Sequence, residues 1–126
     1  MACFGFHIIH FDIGNLLYAS DTEYIKYRFK NLNHILVEAN YSDDLVERDA
    51  VNREHVLRGH LSLKTALDFI STNDNPALRN VVLLHLSASN SDADDFLQKT
   101  RETIKYGADC YIAEKGLEVD LNLVPF

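Results

Sequence analysis

Short apolar runs rich in β-branched and aromatic residues alternate along this chain with longer stretches in which apolar residues recur every three or four positions. The short runs predict six strands and the longer stretches predict four helices. The predicted strands cover residues 4–13, 16–19, 34–39, 80–86, 110–113 and 117–123, and the predicted helices cover residues 23–31, 42–57, 63–70 and 92–105. The resulting order, β-β-α-β-α-α-β-α-β-β, indicates a mixed α/β sheet with helices packed on it.

Glycine and small polar residues mark where the predicted elements begin and end. Gly14-Asn15 predicts the turn of an opening hairpin, and Lys115-Gly116 predicts the turn of a closing one. Gly59 ends the second predicted helix, because glycine is common just after a helix C-terminus. Ser91-Asp92 provides an N-cap for the fourth helix.

Length and composition fit one soluble domain over residues 1–126. The chain is 47% hydrophobic and 25% charged, which is ordinary for a globular protein able to bury one core. Its net charge of −7 argues against a general nucleic-acid surface, because phosphate binding needs clustered lysine and arginine. Two cysteines predict free thiols in a reducing compartment. Without a leader peptide or an apolar run of about 18–20 residues, the chain is expected to be cytoplasmic, with no membrane contact.

Two residues that follow predicted strands are candidate metal ligands. Asp21 could bind a divalent cation or bridge two of them, although an aspartate judged at such a position alone is more often an N-cap. His85 follows four apolar residues near the end of a predicted strand and precedes a polar loop. A histidine at a strand end is more often structural than a ligand, but such loops are where α/β proteins collect their sites.

Glu38 and His60 are candidates for acid–base chemistry. His60 lies between Gly59 and the third predicted helix, where it could act as a general acid or simply complement a helix dipole. Glu38 ends a buried strand, and a buried carboxylate is costly unless it is paired. We expect Glu38 to orient His60 and fix its tautomer. A structural salt bridge to Arg53 or Arg58 is the alternative.

The other four histidines are predicted to be structural. His7 and His10 lie three residues apart on one strand, so their side chains point to opposite faces and cannot share a metal ion there. His34 and His55 have no neighbouring residues that indicate chemistry.

Four short motifs occur in order along the chain: Ser20-Asp21-Thr22, Glu38-Ala39-Asn40, Gly59-His60-Leu61-Ser62 and His85-Leu86-Ser87. They resemble the C-terminal half of the metallo-β-lactamase superfamily, most closely its phosphodiesterase and exonuclease branch of cell-wall-metabolism and prophage-type proteins. The resemblance extends over residues 4–123. It implies half of an αββα sandwich, in which Asp21 and His85 bind metal and His60 acts as the general acid beside Glu38.

Two departures from that family bear on activity. Glu23 stands where many relatives have glycine after the Asp-Thr pair. The His-x-His-x-Asp-His segment does not occur in the sequence, so two of the seven protein ligands of the family site are present. We therefore expect a partial domain that binds Zn²⁺ or Mn²⁺ weakly and is not competent alone, since even an open catalytic zinc site takes three protein ligands.

The resemblance also implies partners. Half a sandwich leaves a sheet face and an edge uncovered, which favours self-association or binding to a separately encoded N-terminal half. The implied substrate contains a phosphodiester or related bond. The alternative function is a non-catalytic remnant that acts as a dimerisation or protein-interaction module. An α/β interaction domain unrelated to hydrolases is a third possibility, which requires the four motifs to be coincidental.

Overall fold

A computed structural model of the protein describes residues 4–20, 28–42, 60–88 and 91–124. Over these residues the chain forms a five-stranded mixed sheet in the order β1-β2-β3-β4-β5, with one helix before β4 and one before β5. The elements are β1 (Phe4–His10), β2 (Gly14–Ser20), β3 (His34–Glu38), α1 (Leu63–Asn73), β4 (Asn80–Leu84), α2 (Ala93–Thr103) and β5 (Asp109–Ile112). The predicted α/β class is confirmed.

The opening hairpin forms as predicted, but its turn lies earlier in the chain. His10 pairs with Gly14, so residues 11–13 make the turn and Gly14 begins the returning strand. Gly14 has a φ of 77°, and a Cβ at this position would lie 2.1 Å from Oδ1 of Asn33. This glycine is therefore needed for backbone conformation and close packing at the start of β2, not for the turn itself.

The strands from β2 to β5 are parallel, which places their carboxyl ends at one edge of the sheet. One face of the sheet packs against the two helices and carries the apolar core, because alternate residues of each strand point to that side. The strand residues in this core are Leu17, Ala19, Ile35, Val37, Val81, Leu83 and Cys110.

Both helices are positioned by short polar caps and an apolar stripe. In α1 the side chain of Ser62 accepts a hydrogen bond from the backbone N–H of Thr65, and in α2 Asp92 does the same for Asp95. The buried positions of α1 recur at helical spacing, and α2 contributes a fully buried phenylalanine. The residues they bring to the core are Leu63, Ala66, Phe69, Ile70 and Phe96.

The closing hairpin predicted around Lys115-Gly116 is wrong. A turn does occur there, but residues 117–124 form no strand, and β5 pairs in parallel with β4 instead. The C-terminal segment runs back to the amino edge of the sheet. There Asp120 accepts a hydrogen bond at its backbone oxygen from the side chain of Asn80 (3.4 Å), and Leu123 donates its N–H to the backbone oxygen of Asp12 (2.9 Å).

Two predicted helices fall largely outside the described residues. The one over residues 42–57 cannot be compared, and of the one over residues 23–31 only residues 28–31 are described, which are not helical. Within the described ranges, neither helix has the length and apolar character required to cross a membrane.

Candidate metal and acid–base site

The carboxyl edge of the sheet brings two of the candidate residues together. Glu38 is the last residue of β3 and lies in register with Leu84, the last residue of β4. His85 follows Leu84 directly, so the ends of two adjacent parallel strands place Glu38 and His85 side by side. The two motifs that contain them are 45 or more positions apart in sequence, and the register of one strand pair joins them.

A short backbone ladder carries His60 to the same place. Asn40 donates its N–H to the backbone oxygen of Leu61 (2.9 Å), and Leu63 donates its N–H to that of Tyr41 (2.8 Å). The segment before α1 therefore runs alongside the residues that follow β3 as a brief parallel extension of the sheet. His60 begins this segment and faces the end of β3.

The Glu38 carboxylate is the centre of the cluster, and its side chain is fully buried. Its Oε1 lies 2.6 Å from Nδ1 of His85 and 3.3 Å from Nδ1 of His60. Its Oε2 accepts a 2.7 Å hydrogen bond from the backbone N–H of Leu61. Three donors thus compensate the desolvation of one carboxylate, and the shortest contact has the length of a charge-assisted hydrogen bond.

This arrangement fixes the tautomer of both imidazoles. An ionised carboxylate can only accept hydrogen bonds, so Nδ1 of His60 and of His85 must each carry the proton. In the neutral rings Nε2 is then the basic nitrogen, and no group in the described part of the chain bonds to it. The side chains of His60 and His85 are 29% and 53% exposed, and their rings meet edge to face at 5.3 Å. Two oriented imidazoles therefore present basic nitrogens near the surface.

The backbone of His85 adopts a left-handed conformation, with a φ of 56°. Such a φ costs a non-glycine residue free energy, and it turns the chain sharply out of β4. Asn40 holds the turn, because its side-chain amide donates to the backbone oxygen of His85 (2.8 Å) and its own backbone oxygen accepts from the N–H of Ser87 (2.8 Å). Asn40 is thus the positioning residue of this edge.

The donor set fits a divalent cation. Glu38, His60 and His85 each offer a ligand atom, and these atoms lie within 4.8 Å of one another, so the group could hold a metal ion. Ligand atoms about 2.0–2.1 Å from a tetrahedral ion are about 3.3 Å apart. Oε1 of Glu38 and Nδ1 of His85 are only 2.6 Å apart, so binding an ion through both atoms would require them to move apart. Binding through Nε2 of either ring would leave its hydrogen bond to Glu38 in place.

The structure thus joins three of the four residues singled out from the sequence. The expected Glu38–His60 hydrogen bond is present, and Arg53 and Arg58, the alternative partners, lie outside the described residues. Asp21 also lies outside them. The sequence interpretation missed the second bond of Glu38, to His85. The signal was available, because both residues stand at the ends of apolar runs that pair in parallel.

The remaining histidines of the described chain are separate from this cluster. His7 and His10 point to opposite faces of β1, as predicted. They pair with Leu17 and Gly14, which lie an odd number of positions apart on β2 and therefore also point to opposite faces. His34 is fully buried at the other end of β3. His55 lies outside the described residues.

Cys110 is a free, buried thiol in the core. Burial raises its pKa to about 11, so it stays protonated at neutral pH. It packs in the core as a small apolar side chain.

No protein-family model, curated protein or solved structure matches this chain. The interpretation of the cluster therefore depends on its geometry and on the motifs in the sequence.

Proposed function

We propose that this protein is part of a metal-dependent hydrolase that acts on phosphodiester or related bonds, with its reaction centre at the carboxyl edge of the sheet. The observation that supports this most strongly is the single buried carboxylate of Glu38, which bonds to Nδ1 of both His60 and His85. A carboxylate that orients a histidine through one nitrogen, and leaves the other open, is the usual outer support of a metal ligand or an acid–base catalyst.

In this proposal the two histidines have different roles. His85, the more exposed, presents Nε2 as a metal ligand, and Asp21 is a second ligand. His60, which makes the longer contact with Glu38, is the general acid and delivers a proton from Nε2 to the leaving oxygen. Glu38 keeps Nδ1 protonated in both rings and balances the positive charge of protonated His60. A bound divalent ion would supply Lewis acidity and an activated water.

Zn²⁺ is the ion we favour, and Mn²⁺ is the alternative. The imidazole nitrogen of His85 suits zinc, whereas Mn²⁺ prefers a mainly oxygen ligand set. One carboxylate and one imidazole, those of Asp21 and His85, are fewer ligands than even an open catalytic zinc site takes from the protein. Further ligands would come from the N-terminal half of an αββα sandwich of the metallo-β-lactamase type, of which this sheet and its helices would be the C-terminal half.

A zinc-binding measurement tests the proposal on the protein as it exists. In competition with a chromophoric chelator, the full chain is expected to bind one Zn²⁺. His85→Ala is expected to weaken binding by at least about a hundredfold, because it removes one of few ligands. His10→Ala is the matched control. It removes an exposed histidine that also lies near a carboxylate, that of Asp12 (3.9 Å), and should leave the affinity unchanged.

Hydrolysis of bis(4-nitrophenyl) phosphate by the zinc-loaded chain separates binding from catalysis. Slow zinc-dependent hydrolysis is expected, with a loss of about 10²-fold or more in His60→Ala. Equal zinc affinity in the original chain, His85→Ala and His10→Ala would contradict the metal site. Zinc binding that depends on His85, with hydrolysis that does not depend on His60, would contradict the hydrolase.

A further inference from the structure

β1 leaves one edge of the sheet open. Within the described residues it is the outermost strand on its side, and it extends over seven residues. The outer edge of such a strand presents N–H and C=O groups that can pair with another strand. Proteins usually protect such an edge with lysine, proline or a very short strand, and β1 has none of these.

Exposed apolar side chains concentrate on the same part of the chain. Phe6, Ile8, Ile9 and Phe11 are 58%, 46%, 73% and 89% exposed. Phe6 and Ile8 lie on one face of β1, Ile9 lies on the other face, and Phe11 lies in the turn that follows. Single exposed apolar residues are normal, but four within six positions leave both faces of this edge apolar. Side chains of this size exposed to these extents leave about 500 Å² of apolar surface in total, divided between the two faces of β1 and the turn.

The hairpin is also nearly free of charge. Residues 4–20 contain one formally charged residue, Asp12, although a quarter of the whole chain is charged. A strongly charged partner would lose hydration here without gaining ion pairs. Because the chain carries a net charge of −7, two copies could approach with least repulsion through this segment.

We propose that β1 pairs with β1 of a second copy of this chain, antiparallel and across a two-fold axis, so that the two sheets become one. The strand is self-complementary in the register centred on His7, which aligns the whole of Phe4–His10 with itself. In that register Phe6 lies opposite Ile8 of the second copy, on the sheet face that also carries Tyr18 and Leu16. Phe6 and Ile8 of both copies would then form one apolar cluster on that face.

Sedimentation velocity of the full chain over a range of concentrations tests the pairing. We expect a dimer with twice the mass of one chain, and about a hundredfold weaker dimerisation in Ile8→Lys, because each dimer buries two copies of Ile8. Tyr106→Lys is the matched control. It adds the same charge at another exposed aromatic position (55% exposed), outside β1, and should leave the dimer intact.

A charge-pair rescue distinguishes this register from general loss of folding. Phe6→Lys alone should be monomeric, and Phe6→Lys combined with Ile8→Glu should recover the dimer, because each introduced lysine then faces an introduced glutamate of the other copy. Far-ultraviolet circular dichroism confirms that each variant is folded. A monomer at all concentrations, a dimer that Ile8→Lys leaves unchanged, or a double variant that stays monomeric would overturn the proposal.

Discussion

The two ends of β3 each carry a buried polar cluster with histidine, and the clusters differ in how the histidine is satisfied. At the amino end, Nε2 of His34 lies 2.9 Å from the backbone oxygen of Ile13, and Nδ1 lies 3.1 Å from the side-chain amide of Asn80. At the carboxyl end, a carboxylate bonds to one nitrogen of each ring and leaves the other open.

This difference separates a structural histidine from one available for chemistry. His34 is fully buried, and both of its nitrogens have neutral partners, so it can neither bind an ion nor exchange a proton without breaking the fold. His85 is half exposed and has a buried anion behind it. His34 satisfies the hydrogen-bonding groups around it at the amino end. At the carboxyl end, Glu38 orients His85 through one nitrogen and leaves the other nitrogen free to react.

Packing at the amino end should be the most sensitive to substitution. Gly14→Ala is expected to lower the free energy of unfolding by about 3 kcal/mol, because it combines a left-handed backbone with overpacking. The added Cβ would clash with the side chain of Asn33 and would lie 2.9 Å from Cδ1 of Leu123. Urea unfolding measures the change. Gly116→Ala, at a left-handed φ of 89° with open space around it, is the matched control for backbone strain alone and should cost less.

Removing the charge of Glu38 should weaken zinc binding at the carboxyl end of β3. Glu38→Gln keeps the shape of the side chain but loses the anion that orients both imidazoles. Changes in such outer-shell carboxylates typically cost about 10–100-fold in metal affinity, and zinc competition should show a loss of this size. Asp12→Asn is the control, because it neutralises the carboxylate near exposed His10 (3.9 Å) and should leave zinc affinity unaltered. Equal losses in both variants would contradict an orienting role for Glu38.

Replacing His34 should have the opposite effect: it should lower stability and leave zinc affinity unchanged. His34→Leu removes the hydrogen bonds that the ring makes with the backbone oxygen of Ile13 and with the side-chain amide of Asn80, which keeps its bond to Asp120. Such a loss costs about 1–3 kcal/mol for a buried polar group. We expect chemical denaturation to show a loss of about 2 kcal/mol, with zinc affinity preserved in the folded variant. A His34→Leu protein that is fully stable but does not bind zinc would reverse the assignment of the two clusters.

His34 also predicts a pH dependence of stability. Burial lowers its pKa, and the charge of Arg79 adds to this, while the backbone hydrogen bonds to Ile13 and Leu121 oppose it. Because the unfolded chain takes up the proton first, this contribution to stability is present above the ordinary histidine pKa of 6.5 and is lost as pH falls toward the lower folded value. For one titrating group, the free energy of unfolding cannot change by more than about 1.4 kcal/mol per pH unit. The difference in unfolding free energy between the original chain and His34→Leu should shrink over this range, and a constant difference would contradict it.

The sequence was sufficient to predict most elements and the residues that the described cluster contains. Apolar runs predict β3 and β4, but the contact between Glu38 and His85 at their ends follows from the parallel register of the two strands, which the sequence interpretation did not include. The closing hairpin was predicted wrongly, because Lys115-Gly116 does make a turn, and the turn motif does not encode whether the next segment pairs with a strand. Likewise, nothing local to His34 indicates that Asn80, 46 positions away, bonds to its ring.

The backbone at His85 gives the smallest predicted effect. His85→Ala and His85→Gly both remove the imidazole and should weaken zinc binding equally. They differ in that glycine accepts a φ of 56° without strain, whereas alanine does not. We therefore expect His85→Gly to be about 1 kcal/mol more stable than His85→Ala in urea unfolding. Equal stabilities would mean that the chain relaxes out of the left-handed conformation once the imidazole is gone. In that case the hydrogen bond from His85 to Glu38, and not the hydrogen bonds that Asn40 makes with His85 and Ser87, would hold the turn at the end of β4.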